Sequence, residues 1–400
     1  MRIRKPVVSL AVAGLVLTAQ AIAASAQSSK TLTQTDLLIS GQDGYHTFRI
    51  PSLIVTKKGT VLAFCEGRVS SRSDTGNIDL VLKRSFDNGK TWQPMQLVAD
   101  DGPNTMGNPC PVVDRDTGTI WLLITRNLGQ DDLQKIKTRT GRGTREVWIT
   151  KSTDDGATWS SPVEITETTK APEWTWYATG PGCGIQLSSG RLVIPCDHAV
   201  AGSQRYCSHV IYSDDHGRTW ERGGAVGEQV NECQVVERVD GTLLLNMRNY
   251  DKGKGKNRRA IATSRDGGLT WSHVTFDEIL IEPICQASLL RLTHQRDFAR
   301  NRLLFANPAS TRRERMTIRV SYDEGRSWPV SKLLNPGASA YSALAVLPDA
   351  TIACLYERGN KHAYEKIRFA RFTIEWLTDG KDSLRSRQRP AATRRGPASR

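Results

Sequence analysis

Short apolar runs separated by turn-forming residues repeat along almost the whole chain. The run 49–55 (RIPSLIV) is followed by a Lys-Lys-Gly turn and a second run, 60–68 (TVLAFCEGR). The same couple returns as 109–114 with 119–127, 182–187 with 191–196, 232–239 with 242–248, and 287–293 with 302–308. Each couple reads as two strands joined by a hairpin, because apolar β-formers fill the runs and Gly, Asp or Ser fill most of the gaps. A third run (79–85, 146–152, 209–213, 260–264, 317–321) leads directly into an octapeptide, Ser-x-Asp-x-Gly-x-x-Trp. That octapeptide occurs five times, starting at Ser85, Ser152, Ser213, Ser264 and Ser321. The spacings of 67, 61, 51 and 57 residues mark a repeat architecture. A last unit, 342–357 with 366–376, keeps the strands and lacks the octapeptide.

This pattern predicts an all-β chain, a six-bladed β-propeller of four-stranded antiparallel sheets over residues 35–378. The run 35–40 (TDLLIS) is expected to close the ring against the last blade and so remove an exposed sheet edge. A parallel β-helix is the rival, but its repeats are shorter. In an up-and-down blade, the start of the first strand and the end of the second emerge on one face. The turn between third and fourth strands emerges on the other. The five Asp turns belong to that second face, where Asp accepts from nearby backbone N–H groups and Gly takes a positive φ. Their expected role is scaffold, with the Trp packed between blades.

Charge changes the picture only after it is located. Of the net +14, the leader (Arg2, Arg4, Lys5) holds +3 and residues 381–400 hold +6, leaving +5 for the body. Nucleic acid is therefore not an expected partner, and 381–400 reads as a basic disordered tail. Residues 1–26 have a basic start, an apolar stretch and Ala24-Ser25-Ala26, the order of a signal peptide. The mature chain is expected to begin near Gln27 and to be periplasmic or extracellular. No other run approaches the ~20 apolar residues of a membrane span, so stable membrane insertion is not expected. The eight cysteines never form CxxC and the seven histidines show no metal spacing; neither a metal nor an organic cofactor is expected. The cysteines read equally as buried core residues or as pairs formed in an oxidising compartment. A monomer is expected.

The first face gathers the unusual polar residues: Arg49 and Arg68, Glu232 and Arg248, Arg313, Tyr341 and Glu357, with Asp74 in the loop 70–77. Three convergent arginines suit a carboxylate, because guanidinium forks donate paired hydrogen bonds and keep their charge. Asp74 fits a general acid provided that partial burial raises its pKa. Tyr341 and Glu232 pair naturally. A neutral phenol can approach an anomeric carbon that bears a carboxylate, and a neighbouring Glu can take its proton.

The motifs FRIP (48–51), EGR (66–68), the Asp74 loop, NE (231–232), NMR (246–248), the stretch 307–317, AYS (340–342) and LYE (355–357) fall in order on these blades. With the octapeptides they resemble the cellular, non-viral exo-sialidases over roughly residues 40–376. The resemblance implies that Arg49, Arg248 and Arg313 clamp a sialic-acid carboxylate and that Arg68 contacts a ring hydroxyl. It further implies Asp74 as acid/base, Tyr341 as nucleophile, Glu232 as its activator and Glu357 as a support for Arg49. Arg313 is chosen over Arg312 because the family has an Arg four residues before the Thr of the next strand, here Thr317. The implied function is a retaining exo-α-sialidase that hydrolyses terminal α-linked sialic acids from glycans or glycoconjugates through a tyrosyl-enzyme intermediate. A non-catalytic propeller that binds carbohydrate or protein, and a trans-sialidase, are the alternatives. The segments 128–144, 166–179 and 250–258 are expected on the same face. Trp174, Trp176 and Tyr177 read there as a sugar-packing rim or as loop anchors, and His198 as a residue of the mouth or a structural histidine.

Overall fold

The computed structural model describes residues 31–203, 205–253 and 255–385; the leader 1–26 and positions 386–400 of the tail lie outside them. The chain is all-β, built from antiparallel meanders of four consecutive strands. One sheet is a single meander: Val230–Glu237, Leu243–Asn249, Arg258–Ser264 and Thr275–Ile281. Another has Trp174–Thr179 and Ile185–Gln186 side by side on Leu192–Val200, followed by Tyr206–Ser213 and Glu221–Val226. An eight-stranded sheet joins the meander from Thr47–Val55 to the one from Thr105–Val113 through a single parallel bridge, Ile78 to Thr105. In the seven-stranded sheet two meanders share the long strand Val330–Val346. Its first part pairs with Glu314–Ser321 and its second with Ile352–Arg358.

Leu32–Ile39 lies antiparallel to Lys366–Phe372, the last strand among the described residues. This is the pairing expected of the run 35–40. Inner strands of the meanders also touch in chain order. Thr47–Val55 contacts Thr105–Val113, Leu192–Val200 contacts Val230–Glu237, Ser288–Thr293 follows, and Val330–Val346 returns to Thr47–Val55.

Burial explains why the apolar runs are continuous near this hub and broken at the edge. Thr47–Val55 and Val61–Arg68 are buried almost throughout, whereas Thr275–Ile281 and Glu221–Val226 are exposed or half-buried at all but one position each. A strand covered on both faces needs apolar residues at successive positions. Fully buried side chains such as Phe64 and Phe305 each contribute about 1.5–3 kcal/mol. The octapeptide tryptophans sit at the seams between meanders. Trp92 packs edge-on against Phe369 at 5.1 Å, and Trp159 against Phe64 at 5.7 Å.

One expectation is corrected, and one open alternative is decided. Residues 381–385, assigned to a disordered tail, are docked: Asp382 pairs with buried Arg302 at 2.6 Å and accepts from Tyr322, while Ala299 donates to the Arg385 carbonyl. A composition rich in Arg and Ser hid one well-placed acid. Of the two readings of the cysteines, buried core residues fits: all eight are free and seven are buried.

Candidate active site

Irregularities at the inner strands build the site. The registers slip between Arg49 and Ser52, Gly107 and Cys110, Trp174 and Tyr177, Val230 and Cys233, and Ser339 and Ser342. A bulge turns a side chain out of the alternation of its strand, and Arg49, Asn108, Trp176, Glu232 and Tyr341 all lie at these slips. Three non-glycine residues near the site take a positive φ: Ile50 at 59° and Asn108 at 52°, both at these slips, and Ile284 at 55°, in the connection between Thr275–Ile281 and Ser288–Thr293. For a β-branched residue that conformation costs about 1–3 kcal/mol. Each of the three turns a backbone group toward a site residue. The Ile50 N–H donates to Glu357 Oε1 (3.0 Å), the Asn108 N–H donates to Glu66 Oε1 (2.8 Å), and the Ile284 carbonyl accepts from Arg313 Nη2 (3.2 Å).

Tyr341 stands at the centre. Its hydroxyl donates to Glu232 Oε1 in a short hydrogen bond and accepts from Arg248 Nη1 at 3.1 Å. The Arg49 guanidinium lies 5.0 Å and that of Arg313 5.5 Å from the Tyr341 ring centroid. The structure therefore brings the three arginines around one phenol. Burial and the Glu232 charge push the phenol well above its ordinary pKa, against the pull of Arg248, Arg313 and Arg49. Tyr341 is thus protonated in the free protein, with its proton already aimed at Glu232.

The arginines differ in how they are held. Glu357, fully buried, takes Arg49 Nε at 3.0 Å and Nη2 at 3.3 Å, and also accepts from the Tyr341 N–H. Arg248 pairs with Glu232 at 2.6 Å and donates to Tyr250. Arg313 has no carboxylate within pairing distance among the described residues and donates to the Tyr364 hydroxyl at 2.7 Å. Its neighbour Arg312 points outward, 80% exposed, onto Glu314.

Asp74 departs from expectation. Its side chain is 64% exposed, 2.8 Å from Arg68 and 3.5 Å from Arg49. Partial burial does push its pKa upward, but the Arg68 and Arg49 charges outweigh that and hold it below the usual carboxylate range. The raised pKa expected of a general acid is absent from the free protein. Arg68 is itself buried on Glu66 at 2.6 Å.

Sequence reasoning missed several partners: Glu66, Asn108, Arg145, Asp197, Tyr250 and Tyr364. Glu66 was legible as the acid of EGR and Tyr250 as the residue two after Arg248. Tyr364 sits in a loop with no local signal. The aromatics of 166–179 separate. Tyr177 is buried against His209, and Trp174 stacks on His198 at 3.5 Å, so both anchor the segment. Trp176 instead lies over the Arg145 guanidinium at 3.8 Å. His198 is buried against His209, the structural alternative.

Elsewhere, Asp114, Asp116 and His216 lie close enough to share a cation. The Asp114 oxygens are already taken by His216, Gln186, Thr117 and the Asp116 N–H at 2.8–3.1 Å. That cluster is a turn brace.

The BNR repeat-like domain family matches residues 59–354. A sialidase of Micromonospora viridifaciens is 36% identical over 86% of this chain and 54% of its own length. An exo-alpha-sialidase of Arthroderma benhamiae is 34% identical over 88% of this chain and 89% of its own. The chain belongs to the sialidase family. It spans 54% and 62% of the lengths of the Micromonospora viridifaciens and Bacteroides fragilis sialidases it matches. Among solved structures, the Hadza microbial sialidase Hz136 superposes with a TM-score of 0.78 at 31% identity, covering 86% of this chain and 69% of that one. Trypanosoma rangeli sialidase shares the fold, with a TM-score of 0.73 at 21% identity over 88% of this chain and 61% of that one.

Proposed function

We propose that the chain is a retaining exo-α-sialidase acting on terminal α-linked sialic acids of glycans or glycoconjugates. The observation that carries this reading is the Tyr341 hydroxyl, bonded to Glu232 inside a ring formed by Arg49, Arg248 and Arg313. The guanidiniums hold the substrate carboxylate, with Arg313, the one that lacks a carboxylate partner, supplying the strongest call for an anion. This sets the anomeric carbon over the phenol oxygen. Asp74 protonates the glycosidic oxygen while Tyr341 attacks and its proton passes to Glu232, so the Tyr O–C bond forms as the aglycone leaves. Water, deprotonated by Asp74, then attacks the same carbon. The Tyr341 oxygen leaves and recovers its proton from Glu232, and two inversions give retention.

The low pKa of free Asp74 fits this cycle. A bound carboxylate draws on the Arg49 charge and a bound sugar covers the exposed Asp74, and both raise the pKa for the protonation step. In this reading Arg68, fixed by Glu66, takes a ring hydroxyl. We read residues 35–378 as one propeller of six blades, supported by the cyclic contacts of the inner strands and by the pairing of Leu32–Ile39 with the last strand. Export by the segment 1–26 to the periplasm or exterior, and a monomer, complete the proposal.

The test is turnover of a 4-methylumbelliferyl sialoside by the native chain, Tyr341→Phe and Asp74→Asn, with NMR identification of the first-formed anomer. Full turnover by both variants, or an inverted first product, overturns the reading.

A further inference from the structure

The inner strands run from the active mouth to the opposite face, where their last residues line a cavity of about 1010 Å³. Small-molecule sites commonly enclose about 300–1,000 Å³. A hydrogen-bonded polar layer divides this cavity from the active site. Ser52 Oγ donates to the Gly182 carbonyl (2.8 Å), and Gln234 Nε2 to the Pro181 carbonyl (3.2 Å). Gln286 Nε2 donates to the carbonyls of Pro181 (3.1 Å) and Ser342 (2.9 Å), and the hydroxyls of Ser288 and Ser342 bond at 3.0 Å. All five side chains are buried. Along the strands the layer falls between site and cavity: Ser52 between Arg49 and Val55, Gln234 between Glu232 and Glu237, Ser342 between Tyr341 and Val346.

The wall and the rim of the cavity differ in chemistry. Val55, Val113, Ile185, Leu290 and Val346, one from each of five inner strands, line it and are half-buried. Val239, 41% exposed, carries the apolar surface out to the rim. A ring of apolar side chains inside a concavity gains free energy when an apolar body displaces water from it. The rim is cationic. Lys57 donates only to the Asp116 carbonyl, Arg115 only to the carbonyls of Gln186 and Leu187, and the buried Nε of Arg238 has no partner. None of the three has a carboxylate within pairing distance among the described residues. The two carboxylates that line the cavity are already engaged, Glu237 by Ser188 and Asp297 by Arg296. Burial and the Arg326 charge push the Arg238 guanidinium below its ordinary pKa, against the pull of Asp240, Glu324 and Asp323. An anion beside it would relieve that penalty.

We propose that this cavity is a second binding site, for a free amphiphile with an alkyl body and an anionic head. The alkyl chain covers the apolar ring and the head meets Arg238 at the rim. A sugar would leave the apolar wall unanswered, and a neutral hydrocarbon would leave the cations unanswered. Residues 386–400 match neither, since they hold five arginines, no acid and no apolar side chain larger than proline.

The experiment is calorimetric titration of the chain with hexanoate, octanoate and decanoate, and with octanol and octyltrimethylammonium as neutral and cationic counterparts. Affinity should rise about tenfold with each pair of methylenes. Octanoate should bind at least about tenfold more tightly than octyltrimethylammonium. Arg238→Gln should weaken octanoate about fivefold or more and leave octanol unchanged. Leu290→Glu, which sets an anion on the wall, should weaken octanoate at least about tenfold. Should that variant not fold, the chain-length series and Arg238→Gln decide. Arg313→Ala should bind octanoate as the native chain does, because its guanidinium lies at the other end of the channel. Equal affinity for the three carboxylates, a cationic amphiphile bound as tightly as octanoate, or binding lost in Arg313→Ala and kept in Arg238→Gln overturns the assignment. So does a lack of octanoate and decanoate binding at about 1 mM; if phosphatidylglycerol vesicles then sediment the chain, the rim meets lipid headgroups instead.

Discussion

The five Asp turns and the active mouth use the same residue types to opposite ends. In the turn at Asp87, every carboxylate contact is local. Oδ1 accepts from Ser85 Oγ and the N–H groups of Lys90 and Thr91, and Oδ2 accepts from Thr91 Oγ1. The pattern repeats at Asp154, Asp215, Asp266 and Asp323. In the mouth several partners come from distant parts of the chain: Glu357 with Arg49, Glu232 with Tyr341, Asn108 with Arg145. That region also keeps strained φ values, two arginines, Arg145 and Arg313, with no carboxylate among the described residues, and buried oxygens and nitrogens with no partner. A turn whose acid is saturated by its own loop has nothing left to offer a ligand. A cluster assembled by the fold and left unsatisfied does.

The sharpest way to break this contrast is at the centre of the mouth. Tyr341→Phe should lower kcat by at least about 10³-fold with the thermal transition little changed, since it removes the nucleophile and a single hydroxyl. Asp74→Asn should cost about 10²–10⁴-fold on a sialyl-oligosaccharide, and far less on an aryl sialoside whose leaving group needs no proton. Stopped assays on both substrates separate the two roles. Arg313→Ala should raise KM about 10- to 100-fold, the loss of charged hydrogen bonds to the carboxylate, measured by steady-state kinetics.

The pH profile sharpens the comparison further. Asp74 must be protonated to act first, and the Arg68 and Arg49 charges hold its pKa down in the free protein. Removing a positive neighbour raises that pKa, so Arg68→Met should move the alkaline limb of kcat/KM to higher pH. A limb that stays put, or moves toward acid, contradicts the assignment.

The smallest expected effects belong to the turns. Hydrogen bonds from Thr158 and Ser152 hold Asp154 at about 2. A folded-state pKa below the unfolded value stabilises above about pH 4, and that stability is lost as pH falls through about 2. Asp154→Asn should therefore flatten the acid side of the stability curve in thermal melts between about pH 5 and pH 2. Its kcat and KM should stay native.

Much of the fold was legible because repetition shows in one sequence: apolar runs at a steady spacing, the fixed octapeptide, and a first strand lacking a partner. One more regularity was there to be read. The position before each Trp is Thr91, Thr158, Thr219, Thr270 or Ser327, and its hydroxyl closes the turn on the Asp. The main site residues stood out as polar groups on apolar strands. Their supports did not. Tyr364 holds Arg313 from a loop, Asp197 looks like any strand acid, and the bulges that aim Arg49, Glu232 and Tyr341 arise from backbone pairing between segments. The Asp74 pKa turned on two guanidiniums whose distances no motif encodes.

The central claim, that Tyr341 forms a bond to the sugar inside the arginine ring, is tested most directly by trapping. Incubation with 2,3-difluorosialic acid, proteolysis and mass spectrometry should find the sugar on the peptide that contains Tyr341, and no label on Tyr341→Phe. Label on another peptide, or none at all from a chain that turns over sialosides, would contradict it.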